Sequence, residues 1–236
     1  EKGNPDILDE YKNYLFKVSD KFDLKTNHYY FSYLVSLYMY KTNHREYKYR
    51  KDIFELYEFM IKKGFYISGD YITDTEFNNV VAIGIALKKF NYVEKFINQF
   101  SKYLDNEYSE NIVSLNFAKL YTFKNEFSKA LEYIQNINKN DPYSYIHSKL
   151  LSSKIYFQQN ETGLISSIEN SLSLYFKRNK KVSLEYKESV DNYFRFLFEI
   201  INSKGNKNYL NKLKKNIENF KGNMFYRTWL IDFTEK

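Results

Sequence analysis

Histidine and cysteine, the side chains that most often carry catalysis or bind metals, are scarce in this sequence. The histidines are His28, His44 and His147, and none has the HExxH spacing that places two imidazoles on one zinc ion. Cysteine is absent, which excludes a thiolate nucleophile, a disulfide framework and a zinc site with a sulfur ligand. The glycine-rich phosphate loops and the GxSxG nucleophile motif are also missing. We therefore expect no cofactor, no metal and no catalytic residue, although catalysis by residues distant in sequence stays an alternative.

A small group of carboxylates, Asp70, Asp74 and Glu76, is the other place where chemistry could be sought. It coincides with Thr73 and Thr75, and threonine and aspartate are favoured at the first residues of helices because their oxygens accept backbone N–H groups. The pattern therefore predicts a capped helix start at this point rather than a catalytic acid pair.

Positive charge is concentrated at the end of the chain. The formal net charge is +7, and residues 171–236 contain 14 Lys and Arg against 7 Asp and Glu, so they carry the whole excess. Such a surface attracts phosphates or an acidic partner, although a solvated helix surface has the same composition. The candidate basic patch consists of Lys177, Arg178, Lys180, Lys181, Lys214 and Lys215.

Only 7 glycines and 2 prolines occur in 236 residues, which favours long helices joined by short turns over a turn-rich β fold. Aromatic residues make up 20% and recur at helical spacing, as fillers of helix–helix interfaces do.

No apolar run approaches the roughly 20 residues that span a bilayer. No signal peptide is visible, so we expect a cytoplasmic protein, and the start at Glu1 fits a module of a longer chain. The predicted helices are 6–22, 28–40, 46–63, 75–89, 91–104, 109–122, 127–138, 142–157, 161–176, 183–203, 207–220 and 223–233.

The helices from Thr75 onward repeat in pairs with a period near 34 residues, which is typical of helical solenoids. The clearest unit is 111–144, where the small residues Ala118 and Ala130 occupy positions eight and twenty and Pro142 occupies position thirty-two. Small residues at these positions let two helices approach closely, and the proline ends the second helix. This unit resembles the tetratricopeptide repeat (TPR), a helix–turn–helix module.

Two neighbouring units resemble the TPR only in part. The unit that starts at Phe77 has Gly84 at position eight but Phe96 at position twenty, and the unit that starts at Tyr145 has Leu164 at position twenty and no closing proline. The resemblance implies an all-α fold, a right-handed α-α superhelix of TPR-like helical hairpins with about eleven or twelve helices. We predict a single domain over 1–236, with divergent helices in 1–74, TPR-like repeats in 75–178 and basic helices in 179–236.

In TPR proteins the first helices of successive units line a concave groove that binds an extended peptide or a partner helix. The resemblance implies that lysines give this groove positive character and that aromatic residues act as anchors. The groove residues implied in this way are Lys88, Lys89, Lys119, Phe123, Lys149, Tyr156 and Phe157.

The sequence as a whole favours a non-enzymatic helical-repeat scaffold that binds a protein or peptide in its concave groove. The alternative is a nucleic-acid or acidic-surface binder that uses the basic C-terminal third. The alternative is disfavoured because the excess charge is mostly lysine, whereas bidentate recognition of bases and phosphates uses arginine.

Overall fold

A computed structural model describes residues 7–44, 46–67, 69–105 and 107–235, and these residues form twelve α-helices. Three 3-10 turns, at 19–21, 47–49 and 101–103, extend neighbouring helices. The prediction of an all-α chain is confirmed. In chain order the helices are α1 (Ile7–Val18), α2 (Leu24–Asn43), α3 (Arg50–Lys63), α4 (Asp74–Ala86), α5 (Phe90–Phe100), α6 (Ser109–Phe123), α7 (Phe127–Gln135), α8 (Pro142–Gln158), α9 (Gly163–Arg178), α10 (Leu184–Asn202), α11 (Lys207–Asn219) and α12 (Arg227–Thr234).

Helix ends follow the local signals in the sequence. The Thr73 hydroxyl accepts from the backbone N–H of Glu76, and the Glu76 carboxylate accepts from the backbone N–H of Thr73. This reciprocal capping box opens α4 where the sequence predicts a capped helix start. Pro142 occupies the first turn of α8, where its missing N–H costs nothing, and Asp141 caps the same helix. Gly64 ends α3 with a φ of 80°, a conformation that glycine adopts without strain.

The helices pack mainly against their neighbours in the chain, as the pairs α2 with α3, α4 with α5, α6 with α7, α8 with α9 and α11 with α12. They also divide into two compact units, one with residues up to Ile137 and one from Asn138. The predicted three-part division, with boundaries after 74 and after 178, stays a prediction.

The core of the first unit is rich in aromatic rings. Phe31 in α2 and Phe59 in α3 stack with ring centroids 5.4 Å apart, and Phe16 in α1 lies 4.5 Å from Phe59. Phe65, which follows α3, lies 5.0 Å from Phe31. These contacts join the first three helices, so the aromatic excess of the sequence serves as packing volume in this unit.

The core of the second unit draws on all five of its helices. The buried residues include Leu150 in α8, Leu172 in α9, Tyr193 in α10, Leu213 in α11 and Leu230 in α12. The Tyr193 ring is fully buried, and its hydroxyl is 2.9 Å from the hydroxyl of Ser153 in α8. That hydrogen bond satisfies the polar end of a side chain whose ring contributes to the apolar core.

Gly84 in α4 lies directly against Val93 in α5. A Cβ atom at this position would collide with Cγ2 of Val93, which is itself fully buried. The substitution Gly84→Ala should therefore lower the free energy of unfolding by about 1 kcal/mol net, because overpacking of about 2 kcal/mol outweighs a gain of about 1 kcal/mol in helix propensity. Urea denaturation of the variant measures this difference.

The matched control is Gly163→Ala at the start of α9, where an added Cβ would meet nothing within 4 Å. This change should leave stability unaltered or raise it slightly. A second substitution, Val93→Ala, should make Gly84→Ala less costly than it is alone, because it removes the colliding atom. Equal stability of the two glycine variants would show that α4 and α5 are not in close contact at Gly84.

Candidate functional site

Four of the predicted groove residues lie in the first unit, at the ends of α4 and α6. Lys88 and Lys89 follow α4 and are exposed, and the ammonium of Lys89 lies 6.0 Å from the ring centroid of Phe54. Lys119 is half-buried in α6, and desolvation lowers the pKa of its ammonium to about 8. Phe123, the last residue of α6, is 50% exposed.

The two helices that carry these residues are in direct contact. The side-chain amide of Asn116 in α6 donates to the side-chain oxygen of Asn78 in α4 over 2.7 Å, and it also donates to the carbonyl of Ile112. Helices α4 and α6 are the first helices of two successive pairs. Side-by-side packing of first helices is the arrangement from which a repeat protein builds a binding face.

The other predicted groove residues, Lys149, Tyr156 and Phe157, lie on α8 in the second unit. The ammonium of Lys149 is 5.4 Å from the ring centroid of Tyr145. Tyr156 and Phe157 are half-buried and pack against the core of this unit. The Phe157 ring lies 4.5 Å from Phe233 in α12, so the last helix of the chain already packs against this ring.

The predicted basic patch falls into two parts. Lys177 and Lys180 line one surface groove, and Arg178 and Lys181 are exposed close by in the sequence. Lys214 lies on α11, where its ammonium is 2.7 Å from the carboxylate of Glu235 and is thereby neutralised. The neighbouring Lys215 is exposed. The end of α9 and the turn that follows it therefore hold four exposed basic side chains, and none of them forms a salt bridge with a described residue.

Sequence reasoning missed a buried lysine. Lys154 in α8 is 6% exposed, and its ammonium lies 5.1 Å from the ring centroid of Trp229 and 5.4 Å from that of Tyr226. Burial lowers its pKa to about 8, although the charge of Asp232 acts in the opposite direction. The sequence signal was its position on α8 three and four residues after Leu151 and Leu150, on the side of the helix that these buried leucines share. Lysine at such positions usually reaches solvent.

The cluster around His28 resembles a catalytic triad in composition but not in geometry. His28 Nε2 is 3.3 Å from Glu76 Oε1 and 3.5 Å from Ser32 Oγ, while Nδ1 is 3.1 Å from the carbonyl oxygen of Phe65. A triad needs the acid and the nucleophile on opposite ring nitrogens, whereas both contact Nε2 here. The arrangement instead ties α2 to the start of α4.

Electrostatics support this structural role for the pair. The hydrogen bond with Glu76 raises the pKa of His28, against the effect of burial. Burial favours the protonated form of Glu76, but hydrogen bonds with His28 and Thr73 outweigh it and hold its pKa below the ordinary value. Both shifts favour a charged pair.

Neither a metal-binding cluster nor a membrane-spanning helix occurs among the residues that the structure describes. Within residues 7–44, 46–67, 69–105 and 107–235, no group of three or more His, Cys, Asp or Glu side chains is placed to hold a metal ion. Over the same residues no helix has both the length and the apolar character required to cross a bilayer.

Comparison of the chain with known protein families, with curated proteins and with solved structures gives no match.

Proposed function

We propose that this chain is a non-enzymatic helical-repeat scaffold that binds a peptide segment of a protein partner. The observation that carries the proposal is the sequential packing of its helices in pairs, together with the contact between the first helices α4 and α6. Chains built in this way have one face of parallel first helices whose side chains are not needed for the core of any single pair. Such a face is free to evolve a binding surface.

The finer part of the proposal is a right-handed superhelix of TPR-like hairpins. Ala118 in α6 and Ala130 in α7, at the two positions where the TPR has small residues, are both fully buried. Gly84 occupies the equivalent position in the preceding pair and has Val93 against it. Small residues at these points support hairpins that are as closely packed as in the TPR.

The binding face that we propose is formed by the C-terminal parts of α4 and α6. Phe123 is its aromatic anchor, and the ammonium of Lys119 is the positive charge that pairs with the ligand. An aromatic side chain that is half exposed in the free protein contributes most to affinity when a partner covers it completely. A desolvated ammonium has lost part of its hydration already, so an incoming carboxylate restores a favourable interaction at a reduced desolvation cost. The expected ligand is therefore a peptide with an acidic residue near an apolar one.

A display library of random peptides, selected on the purified protein, tests this face. We expect enrichment of acidic-apolar peptides, and we expect the double substitution Lys119→Gln with Phe123→Ala to weaken their binding at least about tenfold, since each residue is a candidate hot spot. The matched control is Lys95→Gln with Tyr14→Ala, which changes an exposed lysine and an exposed aromatic residue elsewhere in the same unit.

The control variant should bind within about twofold of the unmodified protein, because its side chains lie on α5 and α1 rather than on the proposed face. Selected peptides that bind both variants equally well would place the site elsewhere. A selection that enriches no peptide would contradict the scaffold function itself.

The second candidate function is binding of nucleic acid or another acidic surface by the basic C-terminal third. It is favoured by Lys177, Arg178, Lys180 and Lys181, whose side chains form no salt bridge with any described residue. It requires that affinity fall steeply as salt is added, because phosphate binding releases counterions. The experiment in the next subsection includes this measurement.

A further inference from the structure

Helices α9 and α10, with the turn between them, enclose a surface groove of about 350 Å³ in the second unit. This volume is at the lower end of the range for ligand sites, so it suits one or two side chains rather than a large cofactor. Its lining has three chemically distinct parts, which are basic, apolar and acidic.

The basic part consists of Lys177, Lys180 and Lys187. None of these ammonium groups forms a salt bridge with a carboxylate among the described residues. The Lys187 ammonium instead lies 6.0 Å from the ring centroid of Phe176. Three lysines that line one groove and form no salt bridge within the described residues favour the binding of anionic groups, although two carboxylates line the same groove.

The apolar part consists of Phe176 and Leu184. Phe176 belongs to the core of the unit and is only 8% exposed, whereas Leu184, the first residue of α10, is 72% exposed. A leucine this exposed beside a groove gains free energy when a ligand covers it. The groove therefore offers apolar contact within reach of its cations.

The acidic part consists of Glu188 and Asp191, one turn further along α10. Burial, together with the charge of Glu188, raises the pKa of Asp191, and burial together with Asp191 raises the pKa of Glu169 in α9. These carboxylates repel one another and are not neutralised by a lysine. A continuous polyanion such as nucleic acid, laid along the groove, would meet this repulsion.

We propose that the groove between α9 and α10 binds a short peptide segment in which acidic residues flank an apolar side chain. The acidic residues face Lys177 and Lys180, and the apolar side chain covers Leu184. A basic residue further along the peptide would neutralise Glu188 and Asp191. The inference rests on the proposed function in that the ligand belongs to a protein partner, and it adds a second surface with its own ligand chemistry.

The test measures binding of fluorescein-labelled peptides by fluorescence anisotropy. One peptide has Asp and Glu residues on both sides of a Leu-Phe pair and ends in Lys, and a second has Ser in place of Leu-Phe. Single-stranded oligo-dT and vesicles of phosphatidylcholine with phosphatidylserine represent the competing classes of anion. Each probe is measured at low and at moderate salt.

The decisive variants change the basic and the apolar parts of the groove separately. The double substitution Lys177→Gln with Lys180→Gln should weaken the Leu-Phe peptide about tenfold, because two ion pairs are lost together. Leu184→Ser should weaken it about fivefold through the lost apolar contact. Lys212→Gln with Lys215→Gln is the matched control, since it removes equal charge from exposed positions on α11, and it should change binding less than twofold.

Three results would overturn the proposal. They are equal losses in the two double-lysine variants, equal affinity for the Leu-Phe and Ser peptides, and tighter binding of oligo-dT or vesicles than of either peptide. Failure of this groove can be distinguished from failure of the proposed scaffold function. If the peptides do not bind but library peptides need Lys119 and Phe123, the α9–α10 groove is wrong and the scaffold function stands.

Discussion

Replacing Arg227 with methionine should lower the free energy of unfolding by about 3 kcal/mol. The Arg227 guanidinium, at the start of α12, donates to three backbone carbonyls, those of Ile217 at 3.0 Å, Phe220 at 2.6 Å and Gly222 at 2.5 Å. The last carbonyls of a helix such as α11 have no intrahelical partner, so this donor satisfies groups that the helix leaves open. Hydrogen bonds from a charged donor contribute about 1.5–3 kcal/mol each, but Arg227 is only half-buried and water replaces part of each bond in the variant, so we expect a net loss of about 3 kcal/mol for the three together. Methionine retains part of the packing but leaves all three acceptors without this donor.

Arg195→Met is the matched control. Its guanidinium lies 4.5 Å from the ring centroid of Phe196 and 4.9 Å from that of Phe220, so it is stacked on aromatic rings as arginines often are, but it is exposed. Its loss should cost less than about 1 kcal/mol. Arg227→Lys should restore only part of the stability, because an ammonium cannot reproduce the geometry of the guanidinium fork. Chemical denaturation gives all three values. An Arg227→Met variant as stable as Arg195→Met would show that the three hydrogen bonds of Arg227 do not stabilise the fold.

The last predicted helix starts four residues before the helix in the structure. The sequence pattern predicted a helix over 223–233, but α12 begins at Arg227, because Tyr226 has a φ of 51°, outside the helical region. Residues 220–226 form no helix, and the carbonyls of Phe220 and Gly222 accept from Arg227 instead of forming helical hydrogen bonds. No local signal marks this arrangement, since it depends on contacts between α11, the loop and α12.

Local signals did predict most of the helices. The boundaries of α6 and α8 agree with the sequence to within one residue, and Pro142 and Asp141 are clear helix-start residues for α8. Thr73 and Asp74 likewise indicated the start of α4 to within one residue. The predicted helix 91–104 was too long, and its last part is a 3-10 turn at Ser101–Tyr103.

The packing of the second unit could not be read from periodicity. The TPR resemblance implied that Phe157 lies in a peptide-binding groove, but in the fold its ring lies 5.5 Å from Trp229 and 4.5 Å from Phe233. These contacts join residues more than 70 positions apart, and an apolar residue at a given helical spacing indicates only that something covers it. Whether a partner can displace α12 from Phe157 is decided by the free energy of that packing, which sequence spacing does not encode.

Replacing Lys154 with methionine should raise the free energy of unfolding at pH 7 by about 1–2 kcal/mol. Burial lowers the pKa of Lys154 from 10.5 to about 8, which corresponds to a cost of about 3 kcal/mol for the charged form. The attraction to the rings of Trp229 and Tyr226 offsets about 1–2 kcal/mol of this cost. Methionine fills a similar volume with no charge to desolvate. The remaining cost of burying the ammonium is therefore removed, and the free energy of unfolding should rise.

The stability advantage of Lys154→Met over the unmodified protein should decrease as the pH rises. Between pH 8 and pH 10.5 the folded protein releases the Lys154 proton while the unfolded chain retains it, so the unmodified protein becomes more stable relative to Lys154→Met. The advantage of the variant should therefore shrink over this window. The raised pKa values of buried tyrosines such as Tyr193 act on both proteins and cancel in the difference.

Lys149→Met is the control for this prediction, because Lys149 lies on the same helix and also faces a tyrosine ring but is only half-buried. Its substitution should alter stability by less than about 0.5 kcal/mol at every pH. If Lys154→Met were less stable than the unmodified protein at pH 7, the ammonium would be stabilising the fold. The contacts of Lys154 with α12 would then outweigh desolvation, and α12 would be held on α8 by that charge as well as by the aromatic packing around Phe157.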